Sequence, residues 1–459
     1  MVGGRLSRRL KHLGECLVGP EITRVETDST LEHQADVVVI GAGVIGLTSA
    51  LFLAERGVKV VLVEKGGIAC EQSSRNWGWC RQSARDPREF DLIREALRLW
   101  RGMDDRCQAK TGFRTPGILF AARSEADEAK YREWSEKAAL AGIHTRMVCG
   151  TELAKLLPQD SNLPPSALYC DSDGCAEPQW AGPAFAQAAR RLGTNLVTRC
   201  AARGIETTAG RVSAVVTEKG VVKCGSVVAA GGAWTRRILK DLDVLLPQLK
   251  VRASVARTTA LENGPVPALW DGSTAFRRRA DGGYTIADGS RIVVPLTPDC
   301  LRFLLPFVPV LKMDWKGLRV KLDERFFTEW QEATTVPWDR PSPYEAMRVL
   351  DPQPDQNYLE ELLARLRNRY PAFAGASLAQ SWAGFIDVTP DLIPVISEVG
   401  KIPGLIVATG FSGHGFGISP GAGHLVADLV CGVKPIVDTR DFRLSRFFDG
   451  SMPRPTTGV

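Results

Sequence analysis

The sequence predicts two domains: an α/β dinucleotide-binding domain of Rossmann type, built from separated stretches of the chain, and an α+β domain with an antiparallel sheet. Three observations support this fold class. A Gly-rich turn joins two apolar runs near the start, two later apolar runs also end in glycines, and the intervening stretches carry strand patterns, many prolines and a hairpin turn. The length of 459 residues also favours more than one domain.

The first motif covers residues 36–65, where an apolar run ends in glycines, a helix-like stretch follows, and a second apolar run ends in an acid. Its residues are Gly41, Gly43, Val44, Ile45, Gly46, Glu64 and Lys65. Gly41 permits a tight turn, Gly43 lets the backbone approach a pyrophosphate, and Gly46 lets the helix pack closely on the strand. The helix N-terminus offers free N–H groups to the phosphates, and Glu64 stands where a carboxylate accepts the hydroxyls of an adenosine ribose. The pattern predicts a dinucleotide site rather than an empty Gly-rich turn.

The other elements follow in chain order. Helices are expected at 89–103, 124–141, 178–192, 235–239, 356–369 and 420–431, the last with a proline in its first turn. Strands are expected at 112–122 (as a pair), 196–197, 211–217, 221–230 and 404–410, and Asp281-Gly282 predicts a hairpin turn. The strands at 221–230 and 404–410 both run into glycines, which indicates two further strand ends beside a ligand.

The dinucleotide-binding domain therefore consists of three separate pieces. A simple NAD dehydrogenase usually has a contiguous nucleotide-binding half, so this arrangement favours FAD. The predicted fold class is an α/β FAD-binding (Rossmann-like) domain, discontinuous, with an α+β antiparallel-sheet substrate domain. The predicted boundaries are 1–35 for an N-terminal arm, 36–110, 170–248 and 375–435 for the FAD-binding domain, 111–169 and 249–374 for the substrate domain, and 436–459 for a C-terminal tail.

Composition and charge argue against several classes of protein. The net charge of +6 is small, and the arginines of 75–88 are interleaved with Trp, Asp and Glu, so no nucleic-acid partner is expected. Eleven cysteines are scattered without a CxxC pair, which predicts reduced thiols, no metal site and a cytoplasmic protein. No apolar region follows Arg8-Arg9, so export is not expected. The apolar run 304–311 is too short for a transmembrane segment and is expected to be a buried or interfacial loop, with peripheral membrane contact left open.

Four segments together resemble the FAD-dependent D-amino acid oxidase superfamily, which includes glycine oxidase, sarcosine oxidase and related amine oxidases and dehydrogenases. They are the motif of residues 36–65, Ser73-Ser74-Arg75-Asn76-Trp77-Gly78, the strand end 229–234, and Gly410-Phe-Ser-Gly-His-Gly-Phe416. Residues 71–82 and 382–387 look most like bacterial D-amino acid dehydrogenases, L-amino acid deaminases and polyamine-type oxidases. The resemblance extends from about residue 36 to 449 and implies the cofactor and the reaction class more closely than the substrate.

The resemblance also implies which residues contact FAD. The Ser-rich loop after the second strand lines the flavin ring in that superfamily, unless it is here only a polar loop plugged by a tryptophan. Ala202 occupies the position at which a backbone amide contacts adenine in that superfamily. Gly384 occupies the position at which members with covalent flavin carry a cysteine. Because glycine cannot form that bond, FAD is expected to be non-covalent. The expected contacts beyond the first motif are Ser73, Ser74, Arg75, Asn76, Gly78, Ala202, Ala230, Gly231, Gly232, Trp234, Gly384, Gly413, His414, Gly415, Phe416 and Gly417.

The glycine loop 410–417 has its own expected chemistry. Its backbone N–H groups, at the start of the helix predicted at 420–431, are placed to stabilise the negative charge of reduced flavin. His414 is a candidate for tuning the flavin or relaying a proton, and a purely structural role for this histidine stays equally open.

The predicted reaction is oxidation of the C–N bond of an amino acid or amine, with hydride transfer to flavin N5 and an imine product that hydrolyses. O2 or an electron-transfer acceptor would reoxidise the flavin. Polyamines and N-substituted amino acids of the sarcosine or opine type are alternative substrates. An NAD(P)-dependent dehydrogenase and a tRNA-modification or non-catalytic flavoprotein are the alternatives from other classes.

A carboxylate-bearing substrate needs a cationic anchor, and arginine supplies two parallel donors. Glycine and D-amino acid oxidases carry this arginine after a Trp-x-Gly motif, but the corresponding residues here are Phe385 and Ile386. Arg278 in the segment Phe276-Arg277-Arg278-Arg279 is the first substitute candidate, because alternation in a strand places it on the same face as Phe276. Arg81 is the second, and solvated strand arginines are the alternative.

Overall fold

The computed structural model describes residues 19–289, 291–314, 317–331, 336–451 and 454–456; most of the predicted N-terminal arm lies outside them. The α-helices are Val44–Glu55, Gln72–Arg75, Phe90–Trp100, Met103–Cys107, Glu125–Leu140, Gly150–Leu156, Pro178–Arg191, Thr235–Lys240, Pro298–Arg302, Leu304–Asp314, Arg325–Gln331, Pro343–Ala346, Gln356–Arg369 and Gly415–Cys431. The 3-10 helices are Pro87–Glu89, Gly232–Trp234, Pro371–Phe373, Arg440–Phe442 and Leu444–Phe447. The strands are Val37–Ile40, Val60–Val63, Trp79–Cys80, Ile118–Ala122, Arg146–Cys149, Ser166–Cys170, Gly174–Cys175, Asn195–Val197, Ala202–Thr208, Arg211–Thr217, Gly220–Lys223, Ser226–Ala229, Leu249–Thr258, Ala268–Trp270, Ala275–Arg278, Tyr284–Ala287, Ile292–Pro295, Leu318–Lys321, Leu378–Val388, Val395–Glu398 and Leu405–Thr409.

One sheet, which we call the parallel sheet, has six strands. Their order is Val395–Glu398, Leu405–Thr409, Ser226–Ala229, Val37–Ile40, Val60–Val63 and Asn195–Val197. All neighbouring pairs are parallel except at the edge, where the first strand of this order runs antiparallel to the second. The two strands of the first motif are apolar and buried along their whole length, as expected for a parallel sheet covered on both faces.

Two layers cover the parallel sheet. On one face, the helices Val44–Glu55, Phe90–Trp100, Pro178–Arg191 and Gly415–Cys431 share a core with alternate residues of the strand Val37–Ile40. On the other face, the remaining residues of that strand pack against a three-stranded sheet within residues 202–223. The first strand thus lies in the centre of the domain, and its carboxyl end leads directly into the Gly-rich turn.

A second sheet, which we call the large sheet, has ten strands. Its order is Leu318–Lys321, Ile292–Pro295, Leu249–Thr258, Tyr284–Ala287, Ala275–Arg278, Ala268–Trp270, Ile118–Ala122, Ser166–Cys170 and Arg146–Cys149, with Leu378–Val388 paired to Leu249–Thr258. Most pairs are antiparallel, and the hairpin predicted at Asp281-Gly282 joins two of the strands. The helix Gln356–Arg369 packs on this sheet through buried leucines. The observed architecture confirms the predicted fold class.

Several predicted elements differ from the observed ones. The stretch 112–122 contains one strand rather than two, and the run 221–230 divides into strands of two different sheets. The division falls at Gly225, where the backbone N–H groups of Gly225 and Ser226 both donate to the Asp36 carbonyl and turn the chain into the parallel sheet. The strand Ala202–Thr208 was not predicted, and residues 304–311 form part of a helix instead of a loop. The strand Leu378–Val388 belongs to the large sheet, although the predicted boundary assigns it to the FAD-binding domain.

The helix predicted at 420–431 begins at Gly415, so Pro420 lies inside it rather than in its first turn. A proline there cannot donate a backbone hydrogen bond to the residue four positions earlier. The hydroxyl of Ser419 donates to the Phe416 carbonyl oxygen at 2.8 Å and satisfies it instead. This side-chain bond explains why the helix continues through the proline.

No helix of the described residues has the length and apolar character needed to cross a membrane.

Candidate active site

A deep cavity is walled by both sheets. Its lining includes the carboxyl ends of parallel-sheet strands, at residues 40–45, 63–65 and 230–234, together with 253–255 and 384–387 from the large sheet. Ligands of open α/β sheets bind outside the carboxyl ends of the strands. Further parts of the wall come from the segment 69–85 and from the glycine loop, with single residues of other segments such as Ala202, Tyr344 and Arg348.

The Gly-rich turn has the geometry that a pyrophosphate requires. Gly41 has a φ of 107°, and a Cβ on it would lie 2.6 Å from the Ala230 carbonyl oxygen. A Cβ on Gly46 would overlap the carbonyl oxygen of Gly41, so the helix can approach the turn this closely only with glycine. Gly43 is the N-cap of the helix Val44–Glu55, and its first turn carries no acidic side chain that would repel an anion. The helix N-terminus therefore presents its positive end to the cavity.

Glu64 is held in one orientation by backbone donors. Its Oε2 accepts from the N–H of Ala42 at 2.8 Å, and its Oε1 accepts from the N–H of Gly66 at 2.6 Å. Burial raises the pKa of the Glu64 carboxyl, against the lowering effect of the neighbouring Lys65 charge. Each carboxylate oxygen keeps acceptor capacity, and the residue lines the cavity. These are the properties needed to bind ribose hydroxyls.

We expect Glu64→Gln to weaken FAD binding at least tenfold. The change removes a charged acceptor, and hydrogen bonds to charged groups contribute about 1.5–3 kcal/mol. Titration of the apoprotein with FAD, followed by quenching of flavin fluorescence, measures the affinity. Glu95→Gln, outside the cavity, is the control. Equal FAD affinity in both variants would assign the ribose contact to another residue.

The cavity is also lined by the glycine loop and by the buried carboxylate of Asp387. Gly413, His414, Gly415 and Phe416 all border it, and the helix N-terminus at Gly415 faces this wall. Asp387 Oδ2 accepts from the Gly410 N–H at 2.7 Å and from the Thr409 hydroxyl at 3.0 Å.

Asp387 also connects other segments. The same Oδ2 accepts from the Gln248 side-chain amide at 2.9 Å, and this amide and the Thr409 hydroxyl both reach the Gly232 carbonyl oxygen. Burial raises the pKa of the Asp387 carboxyl, against these hydrogen bonds. The loops that border the cavity are therefore fixed to one another by a buried polar network.

Most residues predicted to contact the cofactor line the cavity. They are Gly41, Gly43, Val44, Ile45, Glu64, Lys65, Ser73, Arg75, Asn76, Ala202, Ala230, Gly231, Gly232, Trp234, Gly384, Gly413, His414, Gly415 and Phe416. Four others do not: Gly46, Ser74, Gly78 and Gly417.

The four exceptions have packing reasons. Gly46 faces the Gly41 carbonyl, Gly78 packs against the Ala176 carbonyl and the Arg277 guanidinium, and Gly417 packs against the Trp79 carbonyl. Ser74 is fully buried and its hydroxyl donates to the Glu71 carbonyl. These residues shape the elements around the cavity instead of facing it.

Of the two arginines predicted to anchor a carboxylate, only one lines the cavity. Arg278 does not line the cavity, because the face it shares with Phe276 points toward the core of the large sheet, where Phe276 packs against Tyr284. Arg277 points the other way and is buried against Glu177. Arg81, the second candidate, does line the cavity.

Many further residues that line the cavity were not predicted, among them the polar or aromatic residues Gln72, Trp79, Arg85 and Asp387. Asp387 is the last residue of the segment 382–387, which carries part of the family resemblance. The sequence could therefore have identified it as a site residue. Arg85 and the neighbouring Glu89 stand among many charged residues, and only the folded chain brings them to His414.

In the part of the chain that the structure describes, no group of three or more His, Cys, Asp or Glu side chains is arranged to hold a metal ion. The ten described cysteines are all free thiols.

The comparisons with known proteins agree with this geometry. A family model described as DAO, FAD dependent oxidoreductase, matches residues 36–429. The chain belongs to the DAO family of FAD-dependent oxidoreductases. This finding confirms the family, the cofactor and the class of enzyme predicted from the sequence. The Gly-rich turn, Glu64 and the helix N-terminus fit the cofactor that the family binds.

Individual relatives of this DAO-family enzyme cover nearly its whole length. The L-amino acid deaminase of Proteus vulgaris is 34% identical with a TM-score of 0.88, covering 92% of this chain and 99% of its own. The L-amino acid deaminase of Proteus myxofaciens, solved in complex with anthranilate, is 31% identical with a TM-score of 0.90, covering 94% and 97%. The sarcosine oxidase subunit beta of Rhodobacter capsulatus is 23% identical over 425 residues, covering 90% and 89%.

Proposed function

We propose that this enzyme oxidises the C–N bond of an amino acid and that Arg81 binds the substrate carboxylate. FAD, when bound, supplies the hydride acceptor of such a reaction. The single observation that carries the proposal is an arginine that lines the cavity and forms no ion pair with any residue that the structure describes. Relatives named L-amino acid deaminase and sarcosine oxidase subunit beta support the same reaction class.

Arg81 has the properties of an anion site. Its Nη1 donates to the Ser83 carbonyl oxygen at 2.5 Å, and its guanidinium lies 5.3 Å from the centre of the Phe120 ring. Among the described residues it forms no ion pair. Burial, and then the charge of Arg85, lowers the pKa of Arg81 to about 9. Asp173 and Glu89 act in the opposite direction on this pKa, but neither forms an ion pair with Arg81. A substrate carboxylate would pair with the guanidinium directly and use its remaining donors.

Aromatic side chains supply the apolar part of the cavity. Trp77, Trp79, Phe411 and Phe416 line it, and the two tryptophans meet edge to face with ring centroids 5.2 Å apart. These walls exclude water from the reacting carbon, which favours hydride transfer over side reactions.

The remaining details of the proposal follow from the same cavity. We propose that FAD is non-covalent, because residue 384 offers no side chain and lies against the aliphatic part of Arg75. O2 or an electron-transfer acceptor reoxidises the cofactor, and the imine product hydrolyses after release.

We expect Arg81→Ala to raise the KM for amino acids tenfold or more, a loss of about 1.4 kcal/mol or above. Anaerobic bleaching of the flavin by a panel of D- and L-amino acids, N-methyl amino acids and polyamines identifies the substrate, and the variant is then compared with it. Amines that lack a carboxylate should react equally with both proteins. Arg278→Ala is the matched control, since its side chain lies outside the cavity lining. Unchanged amino-acid kinetics in Arg81→Ala, or bleaching by plain amines alone, would refute the proposed anchor.

A further inference from the structure

The segment of residues 344–351, which we call the wall segment, borders the cavity beside Glu64, the residue expected to bind the ribose of FAD. Its Tyr344 and Arg348 line the cavity. The guanidinium of Arg348 donates to the carbonyl oxygen of Lys65 at 2.9 Å. The wall segment therefore lies against the end of the strand that leads into Glu64.

The side chain of Lys65 joins the wall segment to the loop that follows this strand. Its Nζ donates to the carbonyl oxygens of Met347 and Arg348 at 3.0 and 2.8 Å. It also donates to Oε1 of Glu71 at 2.8 Å. An ammonium group has three donors, so these bonds use all of them. Although Lys65 lines the cavity, its hydrogen bonds are therefore made to the protein.

Glu71 extends the same connection. Its Oε1 also accepts from the backbone N–H of Leu350 at 3.1 Å and from the indole N–H of Trp234 at 3.2 Å. Trp234 follows the strand Ser226–Ala229 of the parallel sheet, and its ring meets that of Tyr344 edge to face, with centroids 5.7 Å apart. The wall segment is thus joined to the ends of two strands of the parallel sheet.

Side chains rather than sheet pairing hold the wall segment at the cavity. Residues 347–355 form the loop between the helices Pro343–Ala346 and Gln356–Arg369. The loop packs closely, since a Cβ on Gly66 would overlap the Arg348 carbonyl oxygen. A loop held by a few hydrogen bonds opens more readily than a strand paired inside a sheet. Breaking a few side-chain bonds would therefore open this part of the cavity wall.

Two ion pairs attach the wall segment independently of Lys65. Arg348 pairs with Glu218, and Asp351 pairs with Arg75 at 2.7 Å. Loss of the Lys65 bonds would therefore loosen the wall segment without detaching it from the protein.

We propose that Lys65 and Glu71 are positioning residues that keep the wall segment closed beside the adenosine end of FAD. Opening of this segment then limits how fast the cofactor enters and leaves, and neither side chain acts through its charge on the cofactor. The inference requires FAD, which the family binds, but it does not depend on the proposed substrate.

Because the two side chains carry opposite charges, variants separate this role from a direct effect on the cofactor. Acting on the pyrophosphate through charge, Lys65→Met would speed the release of FAD and Glu71→Ala would slow it. We expect both variants to release FAD about tenfold faster or more, and also to bind it faster, because the same segment opens in each direction. The dissociation constant for FAD should therefore change less than the release rate.

Holoenzyme loaded with radiolabelled FAD and chased with excess unlabelled FAD gives the release rate. Quenching of flavin fluorescence on mixing with the apoprotein gives the binding rate. Hydrogen exchange of the holoenzyme, followed by mass spectrometry, should be faster at residues 347–350 in both variants. Lys59→Met and Glu32→Ala are the matched controls, because these residues form an exposed ion pair and do not line the cavity.

The sign of each rate change decides the outcome. Faster release in Lys65→Met with slower release in Glu71→Ala overturns the proposal in favour of a direct charge effect. Release at the rate of the controls, or slower binding of FAD with unchanged hydrogen exchange, overturns it as well. Glu71→Gln keeps one acceptor oxygen and should give an intermediate release rate, so the test stands if Glu71→Ala fails to fold. None of these measurements involves Arg81 or a substrate, so their failure leaves the proposed function intact.

Discussion

Replacing Arg277 by methionine lowers the free energy of unfolding by about 3–5 kcal/mol, the cost of removing one partner from a buried ion pair. Arg277 is 1% exposed, and its two terminal nitrogens donate to the two carboxylate oxygens of Glu177 at 2.8 and 3.1 Å. Its Nε donates to the Trp77 carbonyl oxygen at 2.7 Å. Methionine fills much of the volume but leaves the buried Glu177 carboxylate without its main counter-charge.

Denaturant-induced unfolding, followed by tryptophan fluorescence, measures this loss. Arg146→Met is the matched control because its ion pair with Glu152 is half exposed, where such pairs contribute about 0–1 kcal/mol. The double variant Arg277→Met/Glu177→Gln should recover part of the stability, since it leaves no unpaired buried charge. Equal losses in Arg277→Met and Arg146→Met would show that the buried pair is not a major source of stability.

A second large effect is expected from Gly46→Ala, which should yield protein that does not retain FAD. The new methyl group would overlap the carbonyl oxygen of Gly41, a backbone atom that moves only if the Gly-rich turn moves with it. Overpacking of this kind costs about 1–3 kcal/mol, and here the strain falls on the turn that faces the pyrophosphate. The ratio of flavin absorbance to protein absorbance after purification measures retention.

Gly400→Ala serves as the control for this substitution, because a Cβ at Gly400 meets no other atom within 4 Å. It should retain FAD as the unmodified protein does. Full flavin content in Gly46→Ala would mean that the turn accommodates the methyl group. It would also show that FAD binding does not require glycine at this position.

Local patterns in the sequence account for the nucleotide-binding half of this enzyme. The strands Val37–Ile40 and Val60–Val63 are apolar on both faces, and the glycines between them have few alternatives to the observed turn. Such features depend on near neighbours in the chain, so they can be predicted from one sequence.

The substrate end of the cavity depends on distant contacts instead. Alternation correctly separated Phe276 and Arg278 from Arg277, but neither face of this strand lines the cavity, because Glu177 binds Arg277 on one side and an aromatic core surrounds Phe276 on the other. Likewise, Glu89 and His414 meet only because the helix Gly415–Cys431 packs beside the helix Phe90–Trp100. Secondary-structure propensities and the spacing of residues in the sequence do not predict such contacts between distant segments.

The hydrogen bonds of Asp387 have a mechanical consequence. Asp387 belongs to a strand of the large sheet, whereas Thr409 ends a strand of the parallel sheet and Gly410 follows directly after it. Separating the two sheets along this line would remove two donors, the Thr409 hydroxyl and the Gly410 N–H, from a carboxylate that is 2% exposed. A buried carboxylate that loses its hydrogen-bond donors costs free energy, so these bonds hold the two sheets together along this side of the cavity.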